Sequence, residues 1–519
     1  MKTFRWYDYF FIAILFAGSF WFQSHVYFNW DASWHLEAAK RIVHGGASYS
    51  KNLFDDNLPM VFWYFIPAVL LHQFTGIFII RICIAYILLS VLISFLLCHV
   101  CLKEIYAQSK WWEFQVIRYV LLISLLFFPG QEFGQRDMMV VTFVLPYIIL
   151  IAARLKTNFN LTLRNAYFRA FLGLLAAIGI AMNPFYGLII VVLEIQMWLS
   201  AKKILLWRPE IITFIIAYVI YLLAIGLVYP DYYTQIIPSY LAFSYVYNVP
   251  IRILLNTSFF ENTLFSAFIY FLIRSSNMNR DWLRTLLICV IAAYVVFFVN
   301  GKLWPSHTIF LVVFTNLFFA AVACHIFACH ERKIRNYGMG VLSLFLLFSS
   351  VTLACAMNVT YYRFSNNKQT KFARLVSFFN HQPPHSSLFL LSTRSFPTFS
   401  MIDYTTLHYL SPWPDCWSIR AFLTNKNQMN ILTRWKKTRI EAYKKIFTPQ
   451  IASIFAVKKP TYVMVDVGKN QGGVKGFNYI HYLSQNLLFR QQWKHYVLVK
   501  IISHYDIYAY KAMPAQMES

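Results

Sequence analysis

The residues from Ile77 to Cys101 read IFIIRICIAYILLSVLISFLLCHVC, and Arg81 is the only Asp, Glu, Lys or Arg among them. A run of this length and apolarity matches the roughly 20 residues that an α-helix needs to cross a lipid bilayer. The whole chain has the same character, since 59% of its 519 residues are hydrophobic and 13% are charged. In a typical soluble protein about a quarter of the residues are charged. The sequence therefore predicts an α-helical polytopic membrane protein.

Similar apolar stretches recur along the first part of the chain. Several are shorter than the roughly 20 residues of a perpendicular span, which predicts broken or kinked helices around a cavity. Counting every stretch predicts about 11 transmembrane helices. The stretches are 9–24, 77–101, 116–130, 139–153, 170–182, 184–199, 210–229, 262–274, 283–300, 305–327 and 338–357.

Basic residues set the orientation of these predicted spans. If the stretches alternate from an N-terminus inside the cell, one set of loops collects most of the Lys and Arg residues, which marks it as cytoplasmic. A further candidate, 60–74, would reverse every later loop if it crossed the membrane, so we predict a juxtamembrane or re-entrant helix there. The opposite loops and the C-terminus are then expected to face outward. The basic residues of the inside loops are Lys103, Lys110, Arg154, Lys156, Arg164, Arg169, Lys202, Lys203, Arg208, Arg274, Arg280, Arg284, Arg332, Lys333 and Arg335.

The last part of the chain, 360–519, differs from the first part, 1–359, in its pattern of apolar and polar residues. Strand-like runs alternate there with polar connectors and helix-compatible stretches, which predicts a C-terminal soluble α/β domain after a membrane domain. The strand-like runs are 387–392, 461–467, 496–502 and 506–511, and the helix-compatible stretches are 430–446 and 479–486.

The formal net charge is +25, from 46 Lys and Arg residues against 21 Asp and Glu residues. Such an excess could suggest a nucleic-acid partner, but most of it is explained by the inside loops and the C-terminal tail, so we predict none. The basic residues of the tail suit docking to anionic membrane lipids or to an anionic acceptor. The alternative is an ordinary solvated basic face.

Four polar motifs interrupt the apolar chain, and the predicted orientation places all of them on the outer face: Trp30-Asp31, Asp55-Asp56, Gly134 to Asp137 and Lys302 to His307. Asp31 lies just beyond the first span, at the start of an expected helix. A carboxylate at the boundary of water and lipid can lose solvent, rise in pKa and act as a general base toward a hydroxyl. The alternative is that Asp31 caps the helix that follows.

Arg136 and Asp137 open the fourth span, and an ionisable pair at membrane depth indicates a functional site. The guanidinium of Arg136 offers two parallel donors to a phosphate, while Asp137 either orients it or shares in catalysis. The alternative is a structural salt bridge.

Lys302, Trp304 and His307 form a compact group at the head of the tenth span. Lys302 and His307 can bind a phosphate leaving group while Trp304 stacks on a substrate, and the alternative is anchoring at the membrane interface. Asp55 and Asp56 are candidates for binding acceptor hydroxyls or a divalent cation, Mg²⁺ or Mn²⁺. The alternative for both residues is ordinary turn chemistry.

These motifs together resemble the GT-C superfamily of membrane glycosyltransferases, which includes protein mannosyltransferases and the lipid A aminoarabinose transferase. The resemblance rests on the acidic first outer loop, the apolar segment 57–64, Arg81 at the start of the second span, and the acidic second outer loop. The segments 134–137 and 301–307 resemble more specifically a bacterial branch related to the lipopolysaccharide-core glycosyltransferases. In the tail, 460–466 resembles the C-terminal domain of that branch.

The resemblance implies a hexosyl- or pentosyltransferase of the bacterial cytoplasmic (inner) membrane. It implies a polyprenyl-phosphate sugar donor, a lipid- or glycan-linked acceptor of the cell envelope, inversion at the transferred sugar, and catalysis by outer-loop carboxylates in a periplasmic active site. The residues themselves leave two other classes open: a lipid or polysaccharide transporter or flippase, and an oligosaccharide ligase or polymerase.

Overall fold

The computed structural model describes residues 5–45, 49, 53–157, 166–202, 206–244, 248–273, 280–328, 334–396, 398–416, 418–423, 433–468, 470–471, 474–475 and 477–511. The chain divides into two compact units. The first unit comprises Met1–Asn29, Asn57–Ala224 and Asn248–Ser365, and the second comprises Trp30–Asp56, Ile225–Tyr247 and Asn366–Ser519. The domain boundary between 359 and 360 stays a prediction.

The first unit is built of helices, numbered here in chain order with α2 and α10 reserved for the second unit. Short 3₁₀ turns at Gly130–Glu132, Pro184–Tyr186 and Pro305–Thr308 precede three of them. The helices are α1 (Trp6–Ser24), α3 (Met60–Thr75), α4 (Ile79–Ile105), α5 (Trp111–Leu126), α6 (Arg136–Lys156), α7 (Ala166–Met182), α8 (Gly187–Ala201), α9 (Pro209–Val228), α11 (Ile251–Leu255), α12 (Ser258–Ile273), α13 (Arg280–Asn300), α14 (Ile309–Ala328) and α15 (Ile334–Asn366).

Every one of the predicted apolar stretches overlaps a helix, which confirms the helical membrane character of this part of the chain. Seven helical segments among the described residues are long and apolar enough to cross a membrane, and three further apolar helices, α3, α7 and α12, are shorter. The number of crossings and the re-entrant character of α3 stay predictions. The seven segments are Ile79–Ile105, Arg136–Lys156, Pro184–Ala201, Pro209–Val228, Asp281–Asn300, Pro305–Ala328 and Tyr337–Asn380.

Helix α6 lies in the core of the first unit, where nearly all of its residues are buried. A helix that is apolar around its whole circumference is expected to be surrounded by other elements. Gly179 of α7 allows a close approach, because a Cβ atom there would lie 2.8 Å from Cγ2 of Val144 on α6. This packing fixes the position of the polar residues at the N-terminus of α6.

Two basic residues that helped to set the predicted orientation are buried in ion pairs. Nη2 of Arg154 lies 2.6 Å from Oε1 of Glu210, and the Arg208 guanidinium contacts both Glu210 and Glu194. The orientation argument is unaffected, because the bias depends on Lys and Arg counts rather than on net charge.

The second unit combines helices with a small sheet. Its helices are α2 (Trp30–Val43), α10 (Ile237–Phe243), α16 (Lys371–Asn380), α17 (Thr398–Ile402), α18 (Ser418–Phe422), α19 (Arg434–Lys458), α20 (Tyr479–Leu483) and α21 (Leu487–Trp493). Its strands are β1 (Ser387–Leu391), β2 (His408–Tyr409), β3 (Tyr462–Asp466), β4 (Asn470–Gln471), β5 (Val474–Lys475), β6 (Tyr496–Ile502) and β7 (Tyr505–Tyr510).

Five of these strands form one sheet in the order β2-β1-β3-β7-β6, while β4 and β5 pair separately. Strand β1 is parallel to both β2 and β3, and β7 is antiparallel to both β3 and β6. Strand β3 is buried along its whole length, as its apolar run from Tyr462 to Val465 predicts for a central strand. The strand-like runs of the sequence are therefore confirmed as β1, β3, β6 and β7, and 430–446 and 479–486 overlap helices α19 and α20.

Candidate functional site

The loop before α6 brings the Gly134 to Asp137 motif into a tight turn. Gly134 has a φ of +78°, in the left-handed region that favours glycine, and a Cβ atom there would lie 2.6 Å from Cδ1 of Ile87. Gln135 then caps the helix, because its side-chain oxygen accepts a hydrogen bond of 2.6 Å from the backbone N–H of Asp137. The motif is therefore a helix start that presents Arg136 and Asp137 together.

Asp137 is fully buried and is held by its neighbours. Its Oδ1 accepts a hydrogen bond of 2.8 Å from Nδ2 of Asn183 and lies 3.4 Å from Nε of Arg136. Its Oδ2 lies 3.7 Å from Nε2 of His307. The Tyr186 hydroxyl lies beside the same carboxylate. A buried carboxylate with this many neighbours has a fixed orientation.

Arg136 is fixed from two sides. Its Nε faces Asp137, its Nη1 donates a hydrogen bond to Oδ1 of Asn57, and its side chain retains 16% exposure. The guanidinium plane is therefore pre-oriented, which is the condition under which an arginine binds a phosphate with two parallel donors.

Lys302, Trp304 and His307 lie together, as their spacing predicts. Nζ of Lys302 is 4.4 Å from the centre of the Trp304 ring, and the Trp304 and His307 rings are 5.3 Å apart. The side chains of Lys302 and His307 are buried, and Trp304 is partly exposed. His307 lies within electrostatic range of both Arg136 and Lys302, so this group and the α6 N-terminus form one cluster in the first unit.

Asp31, Asp55 and Asp56 belong to the second unit. Helix α2 begins at Trp30, so Asp31 lies inside its first turn, where a carboxylate is stabilised by the helix dipole. Oδ1 of Asp31 is 3.7 Å from Nε2 of the buried His35, and the Asp31 side chain retains 17% exposure. Asp31 thus combines a nearby imidazole with access to solvent.

Asp55 and Asp56 differ in their surroundings. Asp55 is buried, and its Oδ2 accepts a hydrogen bond from the indole of Trp34 on α2. The backbone carbonyl of Asp56 accepts a hydrogen bond of 3.1 Å from the Tyr232 hydroxyl, while its side chain is partly exposed. Of the two carboxylates, Asp56 is the better placed to meet a ligand.

The C-terminal part of the second unit holds α2. Nζ of Lys40 lies 3.1 Å from Oδ1 of the buried Asp403, and burial raises the pKa of that carboxyl although Lys40 opposes the rise. Arg41 donates to the backbone carbonyls of Ser411 and Tyr409 at 3.0 and 2.9 Å. The helix that carries Asp31 is therefore positioned by the C-terminal segment.

The solved structure of ArnT from Cupriavidus metallidurans bound to undecaprenyl phosphate is similar to this protein over 97% of this chain and 98% of its own, with a TM-score of 0.56 and 10% sequence identity. The apo structure of the same ArnT gives a TM-score of 0.53 at 10% identity and covers 97% of each chain. These likenesses show the fold. This chain has the fold of these ArnT structures, which agrees with the predicted fold class.

The Archaeoglobus fulgidus oligosaccharyltransferase complex with Zn and sulfate matches 91% of this chain and 67% of its own at 9% identity, but its TM-score of 0.43 supports no conclusion. No protein-family model and no curated protein matches the chain.

The structure brings Arg136, Asp137, Lys302, Trp304 and His307 together in the first unit and places Asp31, Asp55 and Asp56 in the second. Sequence reasoning missed the side chains that orient the first group, Asn57, Asn183 and Tyr186. Asn183 offered one signal, because an Asn directly before Pro184 is typical of a residue that caps a helical turn.

Metal binding was left open by the sequence. Within the ranges that the structure describes, no group of three or more His, Cys, Asp or Glu side chains could hold a metal ion. The divalent-cation site at Asp55 and Asp56 stays a prediction.

We expect Arg41→Gln to lower the free energy of unfolding by about 1–3 kcal/mol, because the change removes hydrogen bonds from a charged donor to two backbone carbonyls. Thermal unfolding of the purified protein in detergent measures this. Lys445→Gln, which removes an exposed cation from α19, is the matched control. Equal melting temperatures for the two variants would show that Arg41 does not hold α2.

Proposed function

We propose that this protein is a membrane glycosyltransferase, which moves a sugar from a polyprenyl-phosphate donor to a lipid- or envelope-linked acceptor. The observation that carries the proposal is the cluster of Arg136, Asp137 and His307 at the starts of two segments long enough to cross a membrane. Charged groups at such a place are costly and usually serve a ligand. A phosphate head group on an apolar tail is a ligand that fits.

The donor phosphate is assigned to Arg136, Lys302 and His307. Arg136 supplies a pre-oriented fork, and Lys302 supplies a buried point charge beside the Trp304 ring. Because the phosphate gains charge as the sugar leaves, cations fixed in advance stabilise the transition state more than the ground state. The fold likeness to an ArnT crystallised with undecaprenyl phosphate supports a donor of this class.

The reaction is a single displacement at the anomeric carbon. Asp31 accepts the proton of an acceptor hydroxyl, the hydroxyl oxygen forms the new bond to the sugar, and the bond from the sugar to the phosphate oxygen breaks. The electron pair of that bond leaves with polyprenyl phosphate, and the sugar configuration inverts. Removing a proton in this way contributes about a hundredfold or more to the rate.

Asp137 is given the orienting role rather than a share in proton transfer. It is fully buried, and its contacts to Asn183 and Arg136 leave it suited to holding the guanidinium in place. Asp55, Asp56 and Trp304 are assigned to acceptor binding, with Asp55 acting through the Trp34 indole that it already holds.

We place the site on the outer face of the inner membrane. The loops on the opposite side of the spans carry most of the Lys and Arg residues of the predicted membrane domain, which marks those loops as cytoplasmic. Cysteines introduced at Gln131 and Lys445, in a background without the eight native cysteines, should react with an impermeant maleimide in intact cells. A cysteine at Gln108 should react only after permeabilisation, and all three positions are exposed. Labelling of the first two only after permeabilisation would mean that the orientation is inverted.

Release of polyprenyl phosphate tests the activity itself. Purified protein incubated with a polyprenyl-phosphate sugar and a membrane extract as acceptor should release polyprenyl phosphate in step with sugar transfer. A transporter or flippase would move the donor without cleaving it. A ligase or polymerase would act only on a diphosphate-linked oligosaccharide, so each alternative class has its own outcome.

A further inference from the structure

The parallel part of the sheet contains a point where the chain changes direction. Strand β1 lies between β2 and β3 in the order β2-β1-β3. The chain therefore leaves β1 toward β2 on one side and returns as β3 on the other. In open α/β sheets, ligands bind outside the carboxyl ends of the strands beside such a point. Here these ends are Ser392, directly after β1, and Asp466, the last residue of β3.

Hydrogen bonds join these two strand ends. Oγ of Ser392 donates to Oδ2 of Asp466 at 3.0 Å, and the backbone N–H of Gly468 donates to Oδ1 at 3.0 Å. The backbone N–H of Arg394 in turn donates to Oγ of Ser392 at 3.0 Å. Both Ser392 and Asp466 are buried. The carboxylate therefore has a fixed orientation.

Cationic and neutral polar groups surround this carboxylate. Nε2 of His504 lies 3.8 Å from Oδ1 of Asp466, which is too long for a hydrogen bond. Burial lowers the pKa of His504, although the nearby Asp466 opposes the change. Lys371, partly buried, and Arg394, exposed, both act electrostatically on His504.

Tyr505 gives an independent indication of a ligand. The residue is completely buried, lies within electrostatic range of Asp466 and Arg394, and its hydroxyl has no hydrogen-bond partner in the described parts of the chain. A buried hydroxyl without a partner destabilises a fold. A bound molecule with hydroxyl groups would supply the missing partner.

We propose that the carboxyl ends of β1 and β3 bind a saccharide that carries an anionic group, of which a sugar phosphate is the simplest example. Lys371 and Arg394 would bind the anion, and Asp466, His504 and Tyr505 would bind sugar hydroxyls. Asp466 favours a sugar phosphate over bare phosphate. Its carboxylate accepts hydrogen bonds from sugar hydroxyls, but it repels an anion that has no hydroxyl group to donate one. The proposal does not depend on the transferase activity.

Calorimetric titration of the purified full-length protein tests this, with glucose 6-phosphate as the probe and with glucose and inorganic phosphate as comparisons. We expect saturable binding of glucose 6-phosphate and at least about tenfold weaker binding of either comparison, since each loses one set of contacts. Absence of saturable binding up to about 10 mM would overturn the proposal. Equally tight binding of inorganic phosphate would overturn the saccharide part of it.

Variants locate the binding. Arg394→Gln and Lys371→Gln change side chains that are at least partly exposed, so folding should persist. Each should weaken glucose 6-phosphate binding by about tenfold, as expected for one charge-assisted contact. Lys445→Gln, the matched loss of an exposed cation on α19, should leave binding unchanged. If all three variants bind as the unchanged protein does, the site is elsewhere and the proposal is wrong.

A lipid-linked source is separated from a soluble one by a second titration. Vesicles that contain a phosphorylated glycolipid are compared with vesicles of neutral lipid, again with the Arg394→Gln variant. Tighter binding to the glycolipid than to glucose 6-phosphate, lost in the variant, identifies a glycolipid head group. Binding of the soluble probe alone identifies a free sugar phosphate. Glycolipid binding that the variant retains contradicts the assignment of the binding site to the carboxyl ends of β1 and β3.

Discussion

Asp31→Asn is expected to lower sugar transfer by about a hundredfold or more, the usual contribution of a general base. The carboxamide keeps the shape of the side chain but cannot take the proton of the acceptor hydroxyl. Asp31 suits that role because it lies in the first turn of α2, 3.7 Å from the His35 imidazole, with part of its side chain open to solvent. Turnover of donor and acceptor at saturating concentrations measures the effect.

The matched control is Asp506→Asn, the same chemical change at a partly exposed residue of β7 in the same unit. Its transfer rate should equal that of the unchanged protein. Both variants must keep the melting temperature of the unchanged protein for the comparison to hold. Near-normal turnover in a folded Asp31→Asn variant would leave Asp31 with a purely structural role at the start of α2.

The membrane part of the fold could be predicted from the sequence because length and apolarity are local properties. Each apolar stretch overlaps a helix, and the almost completely buried α6 is the clearest case, since its sequence between the charged residues at its two ends is apolar on every side. The strands of the C-terminal sheet could also be predicted from short stretches of sequence, such as the apolar run from Tyr462 to Val465 in β3.

The composition of the second unit could not be predicted in the same way. Residues 30–56 and 225–247 precede the tail by a long distance in the chain, yet they pack in one unit with it. The contacts responsible are between distant residues, such as Lys40 with Asp403 and Arg41 with the carbonyl of Ser411. Hydropathy reports on single segments and contains no information on such pairing.

The same distinction between local and long-range contacts applies to the candidate site. Arg136 and Asp137 are adjacent in sequence, and Trp304 and His307 lie within one helical turn, so their grouping is local. The amides of Asn57 and Asn183 come to Arg136 and Asp137 only in the folded chain. An Asn in a loop most often serves a turn, and nothing in its immediate neighbours marks a long-range partner.

Arg136→Lys is expected to weaken binding of the polyprenyl-phosphate donor by about tenfold or more, although the charge is kept. The guanidinium contacts Asp137 through Nε and Asn57 through Nη1, and a single ammonium nitrogen cannot keep both contacts and also present two donors to a phosphate. Lys302→Arg should have a smaller effect, because Lys302 acts as a point charge. Donor titrations at fixed acceptor concentration give the apparent affinity of each variant.

Arg252→Lys, the same change at an exposed residue of the first unit, provides the reference for the substitution itself. The donor affinity of this variant should match that of the unchanged protein. If Arg136→Lys also matches it, and activity falls only in proportion to the loss of folded protein, then Arg136 serves the fold. The donor phosphate would then have to bind elsewhere, since without the Arg136 fork only the point charge of Lys302 and the His307 imidazole would remain for it.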